Sequence, residues 1–177
     1  LHTAIALSVA GGILTTAAGL ALAPFLLDIM KTPADVMADS VTYLRIYFGG
    51  ILFVFIYNVG SAILRAVGDS KRPLYFLIVC CFINIFLDIL LVMGFHMGVA
   101  GAAVATVVSQ VVSALLILLA LVKSKDMYLL EPKKIRFHKY FLFSIITIGL
   151  PAGIQSIMYN ISNMIIQTSL NSLGTET

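Results

Sequence analysis

An amide and a carboxylate lie four residues apart in the run CFINIFLDILLV, where Asn84 and Asp88 are the only polar residues. On a helix they share one face, about 6 Å apart along the axis. Together they could coordinate a small hard cation or share a proton. An Asp at the centre of a membrane helix costs about 2.5–3.5 kcal/mol and is usually turned inward for a function. The alternative is a structural Asp that caps a neighbouring helix or pairs with a basic residue.

A hydroxyl on the following apolar segment reaches a similar depth. At 1.5 Å per helical residue, Asp88 and Asn84 lie about 8 and 14 Å before Met93, and Thr106 lies about 10 Å after Val99. The short turn GFHMG makes the two segments antiparallel neighbours. We predict that Asn84, Asp88 and Thr106 converge, provided that their helix faces match. The alternative is that Thr106 bonds to its own helix backbone.

The last apolar segment, GLPAGIQSIMYNISNMIIQ, carries a polar stripe. Pro151 removes a backbone donor and is predicted to kink the helix. Polar residues follow at four-residue steps: Gln155, Tyr159, Asn163 and Gln167. So long a stripe should face water or a cavity. It is predicted to line a substrate passage, as is Gln110 in the preceding segment. The alternative is hydrogen bonding between helices.

Composition identifies the medium around these residues. Hydrophobic residues make up 60% of the 177, charged residues 11%, and the mean hydropathy is +1.06. Soluble proteins carry about 25% charged residues, so lipid must cover most of this surface. Helices satisfy their own backbone hydrogen bonds in lipid. We therefore predict an all-α polytopic membrane protein with five spans, at residues 4–27, 40–64, 74–93, 99–122 and about 141–170.

The basic residues predict the orientation. Nine of the 11 Lys and Arg residues lie in 65–73 and 123–140, against Lys31 and Arg45 on the other side. By the positive-inside rule both loops are cytoplasmic in a plasma-membrane protein. The longer loop either lies on the inner leaflet or is a solvated linker. Its position beside the membrane already explains its positive charge, so we do not expect it to bind nucleic acid. The first and last residues suggest an internal piece of a longer chain.

Several short runs occur in one order along the chain. APFLLDIM and TYLRI come first, then RAVGDSKRP, NIFLD, GVAGAAVATVVSQ and GLPAGIQS. Together they resemble the multidrug and toxic compound extrusion (MATE) transporters over nearly the whole chain. The resemblance implies a twelve-helix, two-lobe fold with this chain at helices three to seven. Residues 1–122 would belong to the N-lobe, 123–140 to the cytoplasmic inter-lobe loop and 141–177 to the first C-lobe helix.

The resemblance also implies a function. It is secondary active efflux of small organic, often cationic, drugs, coupled to influx of Na⁺ or H⁺, with no further cofactor. Asn84, Asp88 and Thr106 match three members of the family's first-lobe cation site, whose fourth member is an Asp on the first helix. That helix would be among the remaining helices of the full-length chain. Tyr159 departs from branches that carry a glutamate eight residues after the proline.

Three alternatives are weighed against efflux. A flippase for lipid-linked sugars would favour a strongly cationic cavity, whereas the spans hold only Arg45, near an end. A non-transporting structural subunit would show no cation-dependent change in stability. An intramembrane enzyme is disfavoured because the spans offer one Asp and no His.

Overall fold

The computed structural model describes residues 1–29, 32–124, 129–131 and 135–172, apart from the side chains of 164 and 167–172. Within these ranges it contains five α-helices: α1 His2–Ile29, α2 Ala34–Ala66, α3 Lys71–Asp88, α4 Gly98–Val122 and α5 Lys139–Ser172. A π-helical segment, Ile89–Gly94, follows α3 directly and is called the π segment below. Five helical stretches are long and apolar enough to cross a membrane, which confirms the predicted spans.

The helices extend beyond the predicted spans. The largest difference is in α2, whose 33 residues cover about 50 Å, against about 30 Å of hydrocarbon. Its first turns precede the apolar run that begins near Ser40 and carry the exposed Asp35 and Asp39. Helical hydrogen bonding therefore continues past the stretch that hydropathy marks, because it needs no apolar side chains.

The chain divides into two compact units, Leu1–Arg136 and Phe137–Thr177. In the first unit α1 packs against α2, α2 against α4, and α3 with the π segment against α4. The second unit contains α5. The predicted cation site therefore belongs to the first unit, where α4 is the shared neighbour of α2 and α3.

Glycines bring α1, α2 and α4 into close contact. Gly12 meets Leu52 and Gly19 meets the Phe48 ring, both between α1 and α2. The same holds between α2 and α4, where the contacts are Gly50 with Val107 and Gly60 with Ile117. Small residues let helix backbones approach and gain van der Waals contact, which drives helix association in lipid.

The core of the first unit includes a residue from the basic loop. Leu130 is 2% exposed and joins Ile5, Ile56, Leu64, Ala114, Ile117 and Leu121. Its backbone N–H donates to the Leu121 carbonyl at 3.0 Å, and the Glu131 N–H donates to His2 Nε2 at 3.2 Å. Residues 129–131 thus dock onto the helices, which neither predicted state of the loop anticipated. Three basic residues of this loop, Lys125, Lys133 and Lys134, lie outside the described residues.

Two adjacent glycines provide a test of the α2–α4 contact. A Cβ on Gly50 would lie 2.6 Å from a methyl carbon of Val107, whereas one on Gly49 would meet nothing within 4 Å. Because Val is stiff at χ1, we expect Gly50→Ala to destabilise the protein by about 1–3 kcal/mol. Gly49→Ala should be neutral or stabilising by about 0.5–1 kcal/mol. Thermal unfolding in detergent measures both, and equal shifts would contradict the packing described.

The docked loop residue gives a second matched pair. Leu130→Ala should leave a cavity and cost about 2–5 kcal/mol, which the same unfolding measurement detects. The neighbouring Leu129 is 38% exposed. Leu129→Ala should therefore change stability by less than about 0.5 kcal/mol. Two variants of equal stability would show that the loop does not dock through Leu130.

Candidate cation site on the third helix

Asn84 and Asp88 lie on one face of the last turn of α3. Both residues are half-buried, and they are separated by one helical turn. The Asn84 Nδ2 and the Asp88 Oδ1 are buried and have no hydrogen-bond partner among the described residues. The α-helix therefore places the two residues on one face, as predicted, and each has a buried polar atom without a partner among the described residues.

Unsatisfied buried polar atoms require an explanation. Each costs about 1–3 kcal/mol, and a charged group costs more, so native proteins retain few of them. One bound species contacting both side chains would remove both penalties. A water could bridge the amide N–H and the carboxylate oxygen, and a proton could neutralise the carboxylate. Rotating the Asn84 amide by 180° would present its oxygen to a cation instead.

The set of donors indicates which cation would suit this position. No group of three or more His, Cys, Asp or Glu residues occurs in the described part of the chain. Among the described residues, the donors predicted for a cation at Asp88 are the oxygen atoms of Asp88, Asn84 and Thr106. Oxygen ligands favour hard cations, of which Na⁺ is one, over the softer transition metals.

The π segment begins at the residue after Asp88. The hydrogen bond at its end has the spacing of a π-helix: the Phe95 N–H donates to the carbonyl of Leu90, five residues earlier, at 3.0 Å. The predicted span is helical to its end, but residues 89–94 form a π-helix and not an α-helix. The depth estimate, which assumed α-helical rise as far as Met93, does not hold across them. π-helices are rare and are frequent at functional sites.

A tight turn and a close helix contact follow the π segment. His96 has φ +54° and Gly98 has φ +55°, and the Met97 N–H donates to the Leu91 carbonyl at 3.0 Å. Gly101 of α4 is so close that a Cβ there would lie 3.2 Å from the backbone carbon of Leu91. The C-terminal side of the Asp88 region is thus held against the start of α4.

Thr106 lies on α4, the helix that packs against α3. Its hydroxyl donates to the Ala102 carbonyl at 3.0 Å, the alternative considered from the sequence. Thr106 does not satisfy Asn84 Nδ2 or Asp88 Oδ1. Its oxygen retains lone pairs that could accept a hydrogen bond or coordinate a cation. Asn84 and Asp88 therefore share one face of α3, but neither forms a hydrogen bond with Thr106.

The polar residues beyond Thr106 bond within their own helix. Ser109 donates to the Thr106 carbonyl at 2.7 Å, and Ser113 donates to the Ser109 carbonyl at 2.9 Å. Both serines are buried, whereas Gln110, one turn after Thr106, is half-buried. The serines therefore serve the interior of the bundle, and Gln110 is the more accessible polar residue here.

On α5, the polar stripe has the spacing that the sequence predicts. Gln155, Tyr159 and Asn163 share one face, and the side chain of Gln167 lies outside the described residues. The helix continues on both sides of Pro151. Gln155 and Tyr159 line a surface groove together with Pro151. This groove joins polar and apolar groups on a single helix.

Relatives of known name match most of the chain. A probable multidrug resistance protein, YpnP of Bacillus subtilis (strain 168), is 39% identical over 158 residues, 89% of this chain and 35% of the relative. The multidrug export protein MepA of Staphylococcus aureus (strain NCTC 8325 / PS 47) is 27% identical over 82% of this chain and 32% of its own length. The chain thus spans about a third of the length of these relatives.

Solved structures share the fold. The outward-facing conformation of a multidrug resistance MATE family transporter of the MOP superfamily matches with a TM-score of 0.87 and 26% identity, over 98% of this chain and 39% of that one. An inward-facing conformation described in the same terms matches with a TM-score of 0.76 and 29% identity, over 83% of this chain and 34% of that one.

The family model for MatE matches residues 1–90, half of the chain, and includes the Asn84 and Asp88 pair. Its match agrees with the all-helical fold and with the relatives and structures above. The chain therefore belongs to the MatE family of membrane transporters.

Proposed function

We propose that the full-length protein exports small organic, often cationic, compounds in exchange for inward movement of Na⁺ or H⁺. The observation that carries the proposal is the unsatisfied Asn84 and Asp88 pair on a membrane-spanning helix. The names of the relatives, a probable multidrug resistance protein and a multidrug export protein, support the substrate class. A plasma-membrane location, with loops 65–73 and 123–140 cytoplasmic, is part of the proposal.

In this proposal the charge of Asp88 couples the ion to the substrate. An ionised carboxylate in a low-dielectric site carries a large desolvation penalty, which Na⁺ or H⁺ binding removes. Helices around Asp88 could then repack at little cost. Because α3 contacts α4 and has few contacts with α2, a change at Asp88 would act first on the α3–α4 contact.

The driving force is large enough for efflux. One charge that moves through 100 mV of membrane potential releases about 2.3 kcal/mol. At about 1.4 kcal/mol per tenfold change, this sustains a substrate gradient of roughly fortyfold. An exchange that also uses a concentration gradient of the ion would sustain more.

The remaining assignments follow the family fold. The residues proposed to contact substrate are Gln110 on α4 and Gln155, Tyr159 and Asn163 on α5. We assign 1–122 to the N-lobe, 123–140 to the inter-lobe loop and 141–177 to the first C-lobe helix. The partners of this chain are then the bilayer and the remaining helices, including a first helix that would contribute an acid near Asp88.

Substitution of Asp88 tests the proposed coupling. Asp88→Asn in the full-length protein keeps the shape of the side chain but fixes its charge at zero. We expect efflux of a cationic dye from energised cells to fall to the level of cells without the protein, at unchanged membrane expression. The control is Asp35→Asn, in the exposed first turn of α2, which should transport normally. Unchanged transport by Asp88→Asn would refute the assignment.

Thr106 tests whether the hydroxyl takes part. Loss of one polar partner of a charged group costs about 1.5 kcal/mol, or about tenfold. We therefore expect Thr106→Val to raise about tenfold the concentration of coupling ion that gives half-maximal efflux in proteoliposomes. Thr106→Ser should stay within about twofold of the original protein. Should Thr106→Val behave like Thr106→Ser, the hydroxyl serves only the Ala102 carbonyl.

A further inference from the structure

A cleft between α3 and α4 has two basic residues among its six lining residues. It has a volume of about 440 Å³ and is lined by Arg72, Phe76, Leu116, Leu119, Ala120 and Lys123. Arg72 lies at the start of α3, and Lys123 follows the end of α4. The two helices are antiparallel here, so both basic groups lie at the same end of the bundle. The cleft is separate from Asn84 and Asp88, which lie towards the opposite end of α3.

The depth of each lining residue follows from helix geometry. Phe76 lies four residues beyond Arg72, and Leu119 four before Lys123, so each is about 6 Å deeper in the span at 1.5 Å per residue. Leu116 is about 10 Å deeper than Lys123 by the same rise. The charges therefore lie at the membrane surface, with the apolar residues below them. This order matches a lipid phosphate above its acyl chain.

The charge of the cleft mouth favours an anion. The Arg72 Nε contacts the Asp69 Oδ2 at 3.1 Å, and the Arg72 backbone N–H donates to the Asp69 Oδ1 at 3.1 Å. These contacts fix the arginine at the mouth, and its guanidinium has further donors for a ligand. Lys123 has no ion pair within the described residues. The mouth of the cleft therefore carries two positive groups, Arg72 and Lys123, and the carboxylate of Asp69 is already engaged by Arg72.

The floor of the cleft belongs to the packed part of the protein. Phe76 and Ala120 pack against the core cluster, beside the fully buried Ile117 and Leu121. Leu119 is 50% exposed at the rim. The Tyr57 hydroxyl donates to the Pro73 carbonyl at 3.0 Å and ties the start of α3 to α2. The apolar wall is therefore fixed in position before any ligand binds.

We propose that this cleft binds an anionic phospholipid, with its phosphate between Arg72 and Lys123 and an acyl chain along Phe76 and Leu116. Basic clefts between transmembrane helices recognise anionic headgroups, and each basic residue near the surface contributes about 1 kcal/mol, or about fivefold in binding. The occupant is a lipid and not a free phosphate because most of the lining is apolar and lies below the charges. The proposal does not depend on transport activity.

Fluorescence quenching by brominated lipids tests the proposal in the full-length protein. The Leu119→Cys variant, with Cys80 and Cys81 replaced by Ala, carries a fluorophore at the rim and is reconstituted into bilayers of mixed composition. Dibrominated phosphatidylglycerol should quench it with at least fivefold higher apparent affinity than dibrominated phosphatidylcholine. Either Lys123→Gln or Arg72→Gln should lower this preference about fivefold.

Matched controls separate the cleft from the general membrane surface. A label at Leu115, which is 53% exposed on the same helix but outside the cleft, should show no lipid preference. Lys71→Gln should retain the preference at Leu119 within about twofold. Arg72→Gln removes the ion pair with Asp69 and could therefore disturb folding. Lys123→Gln tests the same cleft without that risk, because Lys123 has no ion pair among the described residues.

Each of three outcomes would overturn the proposal. Equal quenching by the two lipids would show no headgroup recognition. Absence of quenching by either lipid would mean that another segment of the protein covers the cleft. Equal loss of preference in Lys71→Gln and Lys123→Gln would reduce the effect to the general charge of this membrane surface.

Discussion

The main constraint on the first unit is a pair of buried polar atoms inside a span, Asn84 Nδ2 and Asp88 Oδ1, that have no hydrogen-bond partner among the described residues. The Thr106 hydroxyl, the third member of the predicted site, donates to the Ala102 carbonyl instead. In lipid such a deficit is expensive, because no bulk water can replace the missing bonds. The pair is therefore understandable only if something outside this chain's own packing, such as an ion, a proton, a water or another helix, completes it.

The packing of the helices differs on the two sides of this pair. Glycines lock α1, α2 and α4 together through the contacts of Gly12, Gly19, Gly50 and Gly60. The described part of the chain buries few residues of the third span, Lys71–Gly94, and Phe82 and Phe86 are exposed. Within the described part of the chain, the helix that carries Asp88 is therefore less closely packed than α2 and α4.

The basic end of the bundle is built differently from the Asp88 end. Asp69 holds the backbone and the side chain of Arg72, Tyr57 bonds to the Pro73 carbonyl, and Leu130 from the basic loop enters the core. This end combines hydrogen bonds and an ion pair with a buried leucine, whereas at the Asp88 end two polar atoms have no partner among the described residues. Within the described residues, the two ends of the bundle therefore differ in how completely their polar groups are bonded.

The sequence determined the five spans, the pair on one face of α3 and the family, because bilayer thickness and helical periodicity act directly on residue type and spacing. It could not determine the π segment, whose run ILLVMG gives no local signal and whose bonds accompany the close contact of Leu91 with Gly101. Nor could it show that Leu130 is buried, because its neighbours in the core lie far along the chain. It left open whether the Thr106 hydroxyl bonds to its own helix or to Asp88, because both acceptors were available to it. Those features were decided by tertiary packing, which fixes distances between segments that sequence spacing leaves open.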